Sequence, residues 1–298
     1  MSKTVIVTGA SSGFGAMSAR ELVDAGHTVY AGMRDIDGRN TQPAADARNY
    51  KARNGGEIRP IEMDMSDQDA VDAAVARIID EQGQIDVIVH NAGHMVLGPA
   101  EAFTVDQLAA VYDVNVLSTQ RLNRAALPHM RERQDGLLVW VGSTSTRGGT
   151  PPYLAPYFAA KAAEDSLAVS YSVELSRFGI DTVIVVPGAF TSGTNHFAHA
   201  GHPDDQQTAA AYDQHYAGVM DQVSAKLADL APDNADPHEV AVQIARVVDL
   251  PKGQRPFRVH IDPSDDGAST VNAVADELRI RFYERIGLSD LLTPTTTN

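Results

Sequence analysis

The sequence predicts an α/β protein in which helices cover both faces of a mostly parallel, doubly wound sheet. Short apolar runs alternate along the chain with segments of helical spacing, which is the order that strands joined by crossover helices require. The runs are apolar at nearly every position, as expected for strands that are buried on both faces. We therefore expect one α/β domain of this architecture.

Six apolar runs before residue 187 are the predicted strands. They are TVIVT (4–8), HTVYAGM (27–33), IRPIEMD (58–64), IDVIVH (85–90), LLVWVG (137–142) and IDTVIVV (180–186). Helical spacing follows the first and third runs, over residues 15–25 and 67–80, and Gly26 ends the first of these helices.

The pattern changes after residue 186. Pro187 and Gly188 interrupt the chain, and residues 189–206 are rich in Gly, Thr, His and Asp, which indicates a loop over a site. A single lid helix is then predicted from an apolar face, which packing alone could also explain. The residues of that face are Tyr212, Tyr216, Val219, Met220, Val223 and Leu227.

The end of the chain predicts two helices and one strand. Asp236, Pro237 and Glu239 have the pattern of a helix start, and this helix should run to about Leu250. PFRVHID (256–262) is the predicted last strand, residues 268–286 form a closing helix, and TPTTTN is expected to be a frayed tail.

No internal repeat or linker divides the chain, so one domain is expected over residues 1–298. Within it, residues 1–188 would form the cofactor-binding and catalytic core, and residues 189–250 the substrate loop and lid. Residues 251–298 would add the last strand and the closing helix.

Composition limits the classes of function. A hydrophobic fraction of 43% with 21% charged residues is typical of a soluble globular protein. The net charge of -15 disfavours binding to nucleic acid, and the absence of cysteine excludes disulfides and zinc–thiolate sites. No apolar stretch reaches the roughly 18 residues of a membrane span, and no signal-peptide pattern is present, so a cytoplasmic location without membrane contact is expected.

A glycine-rich segment, TGASSGFG, joins the first predicted strand to the first predicted helix. Gly9, Gly13 and Gly15 would allow a tight turn and a close approach of backbone to ligand, while the helix amino terminus would bind a pyrophosphate. A glycine-rich turn alone is weak support for a dinucleotide site, but its position between strand and helix is the required one.

Tyr157 and Lys161 stand four residues apart in YFAAK and so share one face of a helix. A free tyrosine has a pKa of about 10. An ammonium roughly 4 Å away, at an effective dielectric constant of about 20, stabilises the phenolate by about 4 kcal/mol. That is enough to bring the pKa close to neutrality, so the pair is a candidate for acid–base chemistry. Without the glycine turn it would be an ordinary helix pair.

With these motifs the sequence resembles the short-chain dehydrogenase/reductase family in its single-domain, Rossmann-type form, over about residues 3–190. The spacing TGxxxGxG separates this type from the extended, epimerase-like type, which usually has TGxxGxxG. NAG at 91–93 matches the next motif of the family, although His90 stands where a second Asn is usual. That departure concerns a position that stabilises the sheet more than the chemistry.

The resemblance implies a catalytic tetrad of Asn115, Ser143, Tyr157 and Lys161. Tyr157 would be the general acid for carbonyl reduction and the base for alcohol oxidation. Ser143 would hold the substrate oxygen, Lys161 would also bind the nicotinamide ribose, and Asn115 would position a water of the proton relay. The interval from Ser143 to Tyr157 is one residue longer than usual, which leaves Thr144 or Ser145 as alternatives.

Cofactor choice depends on the end of the second strand. Met33 occupies the place of the acid that would bind both ribose hydroxyls of NAD, and Arg34 follows where a 2′-phosphate would lie. This favours NADP(H) over NAD(H), unless Arg34 only pairs with Asp35 or Asp37. The other implied cofactor contacts are Gly9, Ser11, Ser12, Gly13, Phe14, Gly15, Asp64, Met65, Asn91, Ala92, Gly93, Tyr157, Lys161, Pro187, Gly188, Thr191 and Ser192.

The substrate pocket is expected to be largely apolar, which suggests a partly hydrophobic substrate. Its predicted residues are Met95, Val96, Leu97, Tyr153, Phe190 and Phe197. His196, His199 and His202 are spaced by three, but Gly201 and Pro203 break any regular helix there, so no metal is expected.

These observations predict an NADP(H)-dependent carbonyl reductase or secondary-alcohol dehydrogenase acting on a small molecule. Two alternatives remain: an NAD-dependent steroid- or retinol-like alcohol dehydrogenase, and a non-catalytic dinucleotide sensor, which would need neither Tyr157 nor Lys161. The family resemblance also implies a homodimer or homotetramer formed through the helices that carry Asn115 and Tyr157.

Overall fold

The computed structural model describes residues 2–190, 193–194, 199–232 and 234–296. Seven parallel strands form one sheet in the order β3-β2-β1-β4-β5-β6-β7. The strands are β1 (Thr4–Thr8), β2 (Thr28–Met33), β3 (Ile58–Glu62), β4 (Val87–His90), β5 (Gly136–Val141), β6 (Ile180–Pro187) and β7 (Arg258–Ile261). The predicted parallel α/β architecture is confirmed.

The helices connect these strands and include several for which no bounds were predicted from the sequence. They are α1 (Gly13–Asp24), α2 (Thr41–Asn49), α3 (Gln68–Gln82), α4 (Val105–Tyr112), α5 (Ser118–Arg133), α6 (Ala155–Glu174), α7 (Gln206–Tyr216), α8 (Val219–Leu230), α9 (His238–Asp249) and α10 (Ala268–Arg285). A π-turn over Asp113–Leu117 joins α4 to α5. In the part of the chain that the structure describes, no helix combines the length and apolar character needed to cross a bilayer.

Alternate residues of each strand enter two separate cores, because successive side chains point to opposite faces of a sheet. Val5 and Val7 of β1 pack with α1, α2 and α9 on one face. Ile6 of the same strand packs with α3, α5 and α6 on the other. Both faces are therefore covered, which explains the nearly continuous apolar runs.

The strand order reverses between β1 and β4, which are neighbours in the sheet but not in sequence. Loops that leave the carboxyl ends of such strands diverge to opposite faces and open a crevice, where ligands of this fold class bind. The glycine-rich segment follows β1 and NAG follows β4. The topology thus brings the two motifs to the same crevice.

The lid differs from the prediction, because two helices replace the single one. α7 ends at Tyr216 and α8 begins at Val219, with Gly218 between them at a φ of 74°. A left-handed residue cannot continue an α-helix, so the predicted apolar face is divided. No residue of α7 or α8 is buried.

The ends of the last elements also differ in detail from the prediction. α9 starts at His238, whose backbone N–H donates to the Asp236 carboxylate at 2.9 Å. The tail is not frayed throughout, because the N–H of Thr295 donates to the carbonyl of Ser176 at 2.8 Å.

Candidate active site

A cavity of about 800 Å³ opens at the carboxyl edge of the sheet. The turn after β1 and the loop after β2 line one end, and the segments after β4, β5 and β6 line the other together with the start of α6. The predicted residues among its walls are Gly9, Ser11, Ser12, Gly13, Phe14, Arg34, Asp64, Met65, Asn91, Ala92, Gly93, Met95, Ser143, Thr144, Ser145, Tyr157, Lys161, Pro187, Gly188 and Phe190.

The glycines of the first turn are required by backbone conformation or by close contacts. Gly9 and Gly13 adopt φ values of 64° and 53°, in the left-handed region that favours glycine. Gly15 does not line the cavity, but a Cβ there would lie 2.4 Å from the Gly9 carbonyl oxygen and 2.5 Å from Nδ2 of Asn91. The turn can therefore press against the loop that follows β4.

Thr8 and Asn91 join the two motifs directly. The Thr8 hydroxyl accepts the N–H of Asn91 at 2.9 Å and that of Ala92 at 3.0 Å. Nδ2 of Asn91 donates to the carbonyl of Thr8 at 2.8 Å. These bonds fix the NAG segment relative to the glycine turn before any ligand is bound.

His90 is buried below this junction, at the end of β4. Its Nε2 lies 2.9 Å from Oδ1 of Asn123, and its ring packs against Trp140 with centroids 4.6 Å apart. Burial lowers the pKa of His90 to about 4, so the ring is neutral at physiological pH. It does not line the cavity, in agreement with a structural rather than chemical position.

Tyr157 and Lys161 occupy the first half of α6 and are both buried. The Lys161 ammonium donates to the Val141 carbonyl at 2.8 Å and to Oε2 of Glu164 at 2.7 Å. The Tyr157 phenol is hydrogen-bonded to Ser143, which lowers its pKa slightly. A hydroxyl, a phenol and an ammonium thus converge on one wall of the cavity.

The pKa of Tyr157 is raised, whereas the charge of Lys161 alone would lower it. Burial raises the pKa of Tyr157, and this effect exceeds the lowering by the Lys161 ammonium; Glu164 raises the pKa further. The spacing of Tyr157 and Lys161 reveals neither the desolvation of the phenol nor the charge of Glu164, and both oppose the effect of the ammonium. The phenol is therefore held in its protonated form.

Ser143 is favoured over its neighbours as the hydroxyl beside Tyr157. Its Oγ also accepts the N–H of Ser145 at 3.1 Å. The Thr144 side chain bonds instead to Asp266, and Oγ of Ser145 is buried without a partner among the described residues. A short 3-10 turn, Thr144–Thr146, follows Ser143 directly.

Asn115 is fully buried in the π-turn and does not line the cavity. Its Nδ2 donates to the carbonyls of His94 and Val111, each at 2.9 Å, and its Oδ1 accepts the N–H of His94 at 3.1 Å. The side chain is therefore occupied in holding the loop after β4. A role in a water relay remains a prediction.

The far end of the cavity carries two exposed arginines, Arg34 and Arg39. Asn40 holds the loop by donating to the Arg34 carbonyl at 2.6 Å, and the Arg39 N–H donates to Asp35 at 2.9 Å. Within the described ranges the Arg34 guanidinium forms no ion pair, neither with Asp35 nor with Asp37. Its charge remains available to a ligand.

Only part of the predicted substrate pocket lines the cavity. Met95 and Phe190 do. Val96 instead pairs with Gly201 and packs with Phe103, and Leu97 donates its N–H to the Gly201 carbonyl at 2.8 Å.

Tyr153, which has a φ of 71°, is turned away from the cavity towards Tyr216 of α7. Phe197, Thr191 and Ser192 lie outside the described residues.

His199 and His202, two of the three histidines spaced by three, have different surroundings. His199 lines the cavity, whereas Nδ1 of His202 lies 3.2 Å from the carbonyl of Leu97; His196 lies outside the described residues. Across the residues that the structure describes, no three His, Cys, Asp or Glu side chains are grouped so as to hold a metal ion.

Several residues of the site were missed by the sequence reasoning. Arg39, His94, Leu227 and Asp266 line the cavity from loops and from α8, and no motif marks them. Glu164 could have been found, because residues three apart on a helix are neighbours and it follows Lys161 by three.

The crevice, the glycine turn and the Ser–Tyr–Lys wall together define a dinucleotide-binding oxidoreductase fold. The model of the short chain dehydrogenase family matches residues 3–202. The chain therefore belongs to the short-chain dehydrogenase/reductase family.

Curated relatives resemble the same part of the chain. It is 31% identical over 189 residues to 3-ketodihydrosphingosine reductase of Bacteroides thetaiotaomicron, covering 63% of this chain and 64% of the relative. It is 36% identical over 193 residues to 17-beta-hydroxysteroid dehydrogenase type 1 of Homo sapiens, covering 63% and 57%. The chain thus spans less than two thirds of the length of these relatives.

Solved structures show the fold over nearly the whole chain. A short-chain dehydrogenase from Streptomyces avermitilis is similar with a TM-score of 0.73 and 28% identity, covering 96% of this chain and 97% of that one. An actinorhodin polyketide ketoreductase variant in complex with NADPH has a TM-score of 0.71 at 24% identity, covering 89% and 98%.

Proposed function

We propose that this protein is an NADP(H)-dependent oxidoreductase that moves a hydride between a nicotinamide and a carbonyl or secondary-alcohol substrate. The observation that carries the proposal is the convergence of Ser143, Tyr157 and Lys161 on one wall of the cavity whose other end is the glycine turn. A dinucleotide joins two such ends through its pyrophosphate.

The residues present fit such a cofactor. The amino terminus of α1 faces the cavity and presents backbone N–H groups to a pyrophosphate. A Cβ on Gly93 would lie 2.9 Å from Oδ1 of Asn115, so this stretch of wall requires glycine. The nicotinamide, when bound, would supply or accept the hydride, and the protein supplies orientation and electrostatics.

Tyr157 would exchange the proton of the substrate oxygen while the Ser143 hydroxyl holds that oxygen. Because burial keeps the phenol protonated, Tyr157 is ready to donate to a carbonyl. Lys161, whose ammonium is held by the Val141 carbonyl and Glu164, would contact the nicotinamide ribose beside it. Alcohol oxidation uses the reverse proton transfer, from substrate to Tyr157.

The cofactor preference rests on Arg34 and Arg39. Both arginines line the end of the cavity where an adenosine 2′-phosphate would lie, and Met33 there is apolar and buried. Arginine is well suited to binding phosphate oxygens. We therefore favour NADP(H) over NAD(H).

The substrate is expected to be partly hydrophobic. Apolar side chains pack with Tyr157 in the wall, namely Met95, Leu154 and Phe158, and Phe190 and Leu227 line other parts of the cavity. Relatives named for a sphingosine precursor and for steroids agree with this chemistry. We also propose that the protein acts in the cytoplasm as a homodimer or homotetramer. Val105 of α4 and Leu117 of the π-turn are 82% and 49% exposed and are available to contact a second copy.

The first experiment compares Tyr157→Phe with the wild type on a panel of ketones and alcohols. Loss of the proton donor should lower kcat by about 10²- to 10⁴-fold, while NADPH affinity, measured by fluorescence, should stay within a few-fold. Tyr171→Phe, on the same helix but bonded to Gln120 outside the cavity, is the matched control. Undiminished turnover in Tyr157→Phe would remove Tyr157 from the chemistry, and no activity of the wild type despite cofactor binding would favour a dinucleotide sensor instead.

Cofactor preference is tested with Arg34→Ala. Removing a phosphate-binding guanidinium should reduce the ratio of kcat/KM for NADPH over NADH by roughly 10-fold or more, since a charged hydrogen bond contributes about 1.5–3 kcal/mol. Lys252→Ala, on the far side of the molecule beside Asp135, serves as a control for the loss of a positive charge. A preference that does not change in Arg34→Ala would show that the 2′-phosphate is bound elsewhere or that NAD(H) is the cofactor.

A further inference from the structure

Glu164 forms a buried ion pair with the lysine of the site. It lies three residues after Lys161 on α6, and its Oε2 accepts from the ammonium at 2.7 Å. The two side chains are only 2% and 6% exposed. A carboxylate at such depth is costly unless a cation offsets its charge, and the proton transfer described above makes no use of it.

The other charges near Glu164 are engaged elsewhere. Asp165 follows it on α6 and accepts from Arg258 of β7, with Nη2 and Oδ2 3.2 Å apart, and from Arg147 at 3.5 Å. Lys161 is thus the cation that is ion-paired with Glu164 in the described structure. The charges of Lys161 and Glu164 both act on Tyr157.

We propose that Glu164 is a positioning residue which holds the Lys161 ammonium in place and offsets part of its charge at Tyr157, so that the phenol ionises at a higher pH than burial and Lys161 alone would set. The inference rests on the proposed function for its consequence, but its physical content is an interaction among three side chains.

The charges act on Tyr157 in opposite directions. The Lys161 ammonium lowers the pKa of the phenol, and the Glu164 carboxylate raises it. Burial raises the pKa of Glu164 itself to about 7, against the lowering effect of Lys161. Above that pH the carboxylate is charged and opposes ionisation of Tyr157; below it the carboxyl is neutral and the ammonium acts without opposition.

This arrangement separates the two directions of the reaction by pH. Carbonyl reduction needs a protonated Tyr157 and would persist into alkaline solution. Alcohol oxidation needs the phenolate, so its rate should rise at a higher pH than in a site without Glu164. The equilibrium constant of the reaction is unaffected, because an enzyme changes only rates.

The test is a titration of Tyr157 by NMR of isotopically labelled tyrosine Cζ, with Tyr157→Phe to assign the resonance. Glu164→Gln removes the charge with little change in shape, and Tyr157 should then ionise at least about one pH unit below the wild type. Glu164→Asp keeps the carboxylate, so in this variant Tyr157 should ionise at a pH between those of Glu164→Gln and the wild type. Glu174→Gln, exposed at the end of the same helix, should equal the wild type.

An equal ionisation pH in Glu164→Gln and wild type would overturn the proposal, as would an equal shift in Glu174→Gln. If Glu164→Gln does not fold, the wild-type Tyr157 resonance carries the test. It should move with a midpoint near pH 7 as Glu164 titrates, and its failure to move would also overturn the proposal. The titration uses no substrate, so its failure is distinct from a failure of the oxidoreductase function, which the turnover of Tyr157→Phe tests.

Discussion

The sheet and the lid of this protein are built in different ways. Every residue of β1, β5 and β6 is buried, whereas α7 and α8 contain no buried residue. The segment before α7 is held by a few polar contacts: Gly201 exchanges backbone hydrogen bonds with Met95 and Leu97, and Gln107 donates to the His202 carbonyl at 2.9 Å.

The difference shows which parts of the cavity wall are held in place by buried packing. The proposed proton donor and the glycine turn lie on elements that pack into the two cores. The helices α7 and α8, of which α8 lines the cavity through Leu227, have no buried residue. Elements with few buried contacts open at lower free energy, so the lid can change shape without moving Tyr157 or Lys161.

The largest expected contrast in stability is between Leu122→Ala and Leu230→Ala. Leu122 of α5 is fully buried, and its truncation should lower the free energy of unfolding by about 2–5 kcal/mol. Leu230 of α8 is 57% exposed, and its truncation should change that free energy by less than about 0.5 kcal/mol. Urea unfolding followed by circular dichroism measures both. Similar losses in the two variants would mean that the lid is part of the cooperative core.

A slightly smaller effect is expected from acid at the core. The pKa of His90 is lowered by burial from 6.5 to about 4. The unfolded chain therefore takes up a proton first, and stability present above pH 6.5 is lost as the pH falls towards 4, by at most about 3 kcal/mol.

His90→Asn, which restores the residue usual in the family, should remove this part of the acid sensitivity. The measurement is the difference in free energy of unfolding between pH 7 and pH 5 for both proteins. Replacing the half-exposed His238, which contacts Glu21 at the surface, gives the control. An acid sensitivity identical in wild type and His90→Asn would show that buried His90 does not govern it.

Much of the fold could be predicted because the burial of each element leaves its own pattern of apolar residues in the sequence. The runs around Val5 and Val139 are apolar at consecutive positions, and this alone indicated strands covered on both faces. The lid could not be predicted as well. The helical spacing from Tyr212 to Leu227 is regular, but the left-handed conformation of Gly218 ends the helix within it.

The site was predictable where a motif fixes chain geometry and less so where charge and burial compete. The spacing of Tyr157 and Lys161 predicted their shared helix face, which the structure shows. The lowered pKa that the spacing suggested for Tyr157 is replaced by a raised one, because desolvation depends on packing that no spacing reveals. Arg39 comes from an irregular loop, where no periodicity indicates which side chains face the cavity.

The Thr8 hydroxyl, by accepting the N–H groups of Asn91 and Ala92 in the segment after β4, joins the loop after β1 to the loop after β4. The spacing between the glycine turn and the NAG segment, which the proposed function assigns to cofactor binding, is therefore set during folding. A dinucleotide that binds as proposed would meet two loops whose relative positions are already fixed, so little ordering of these loops would oppose its binding.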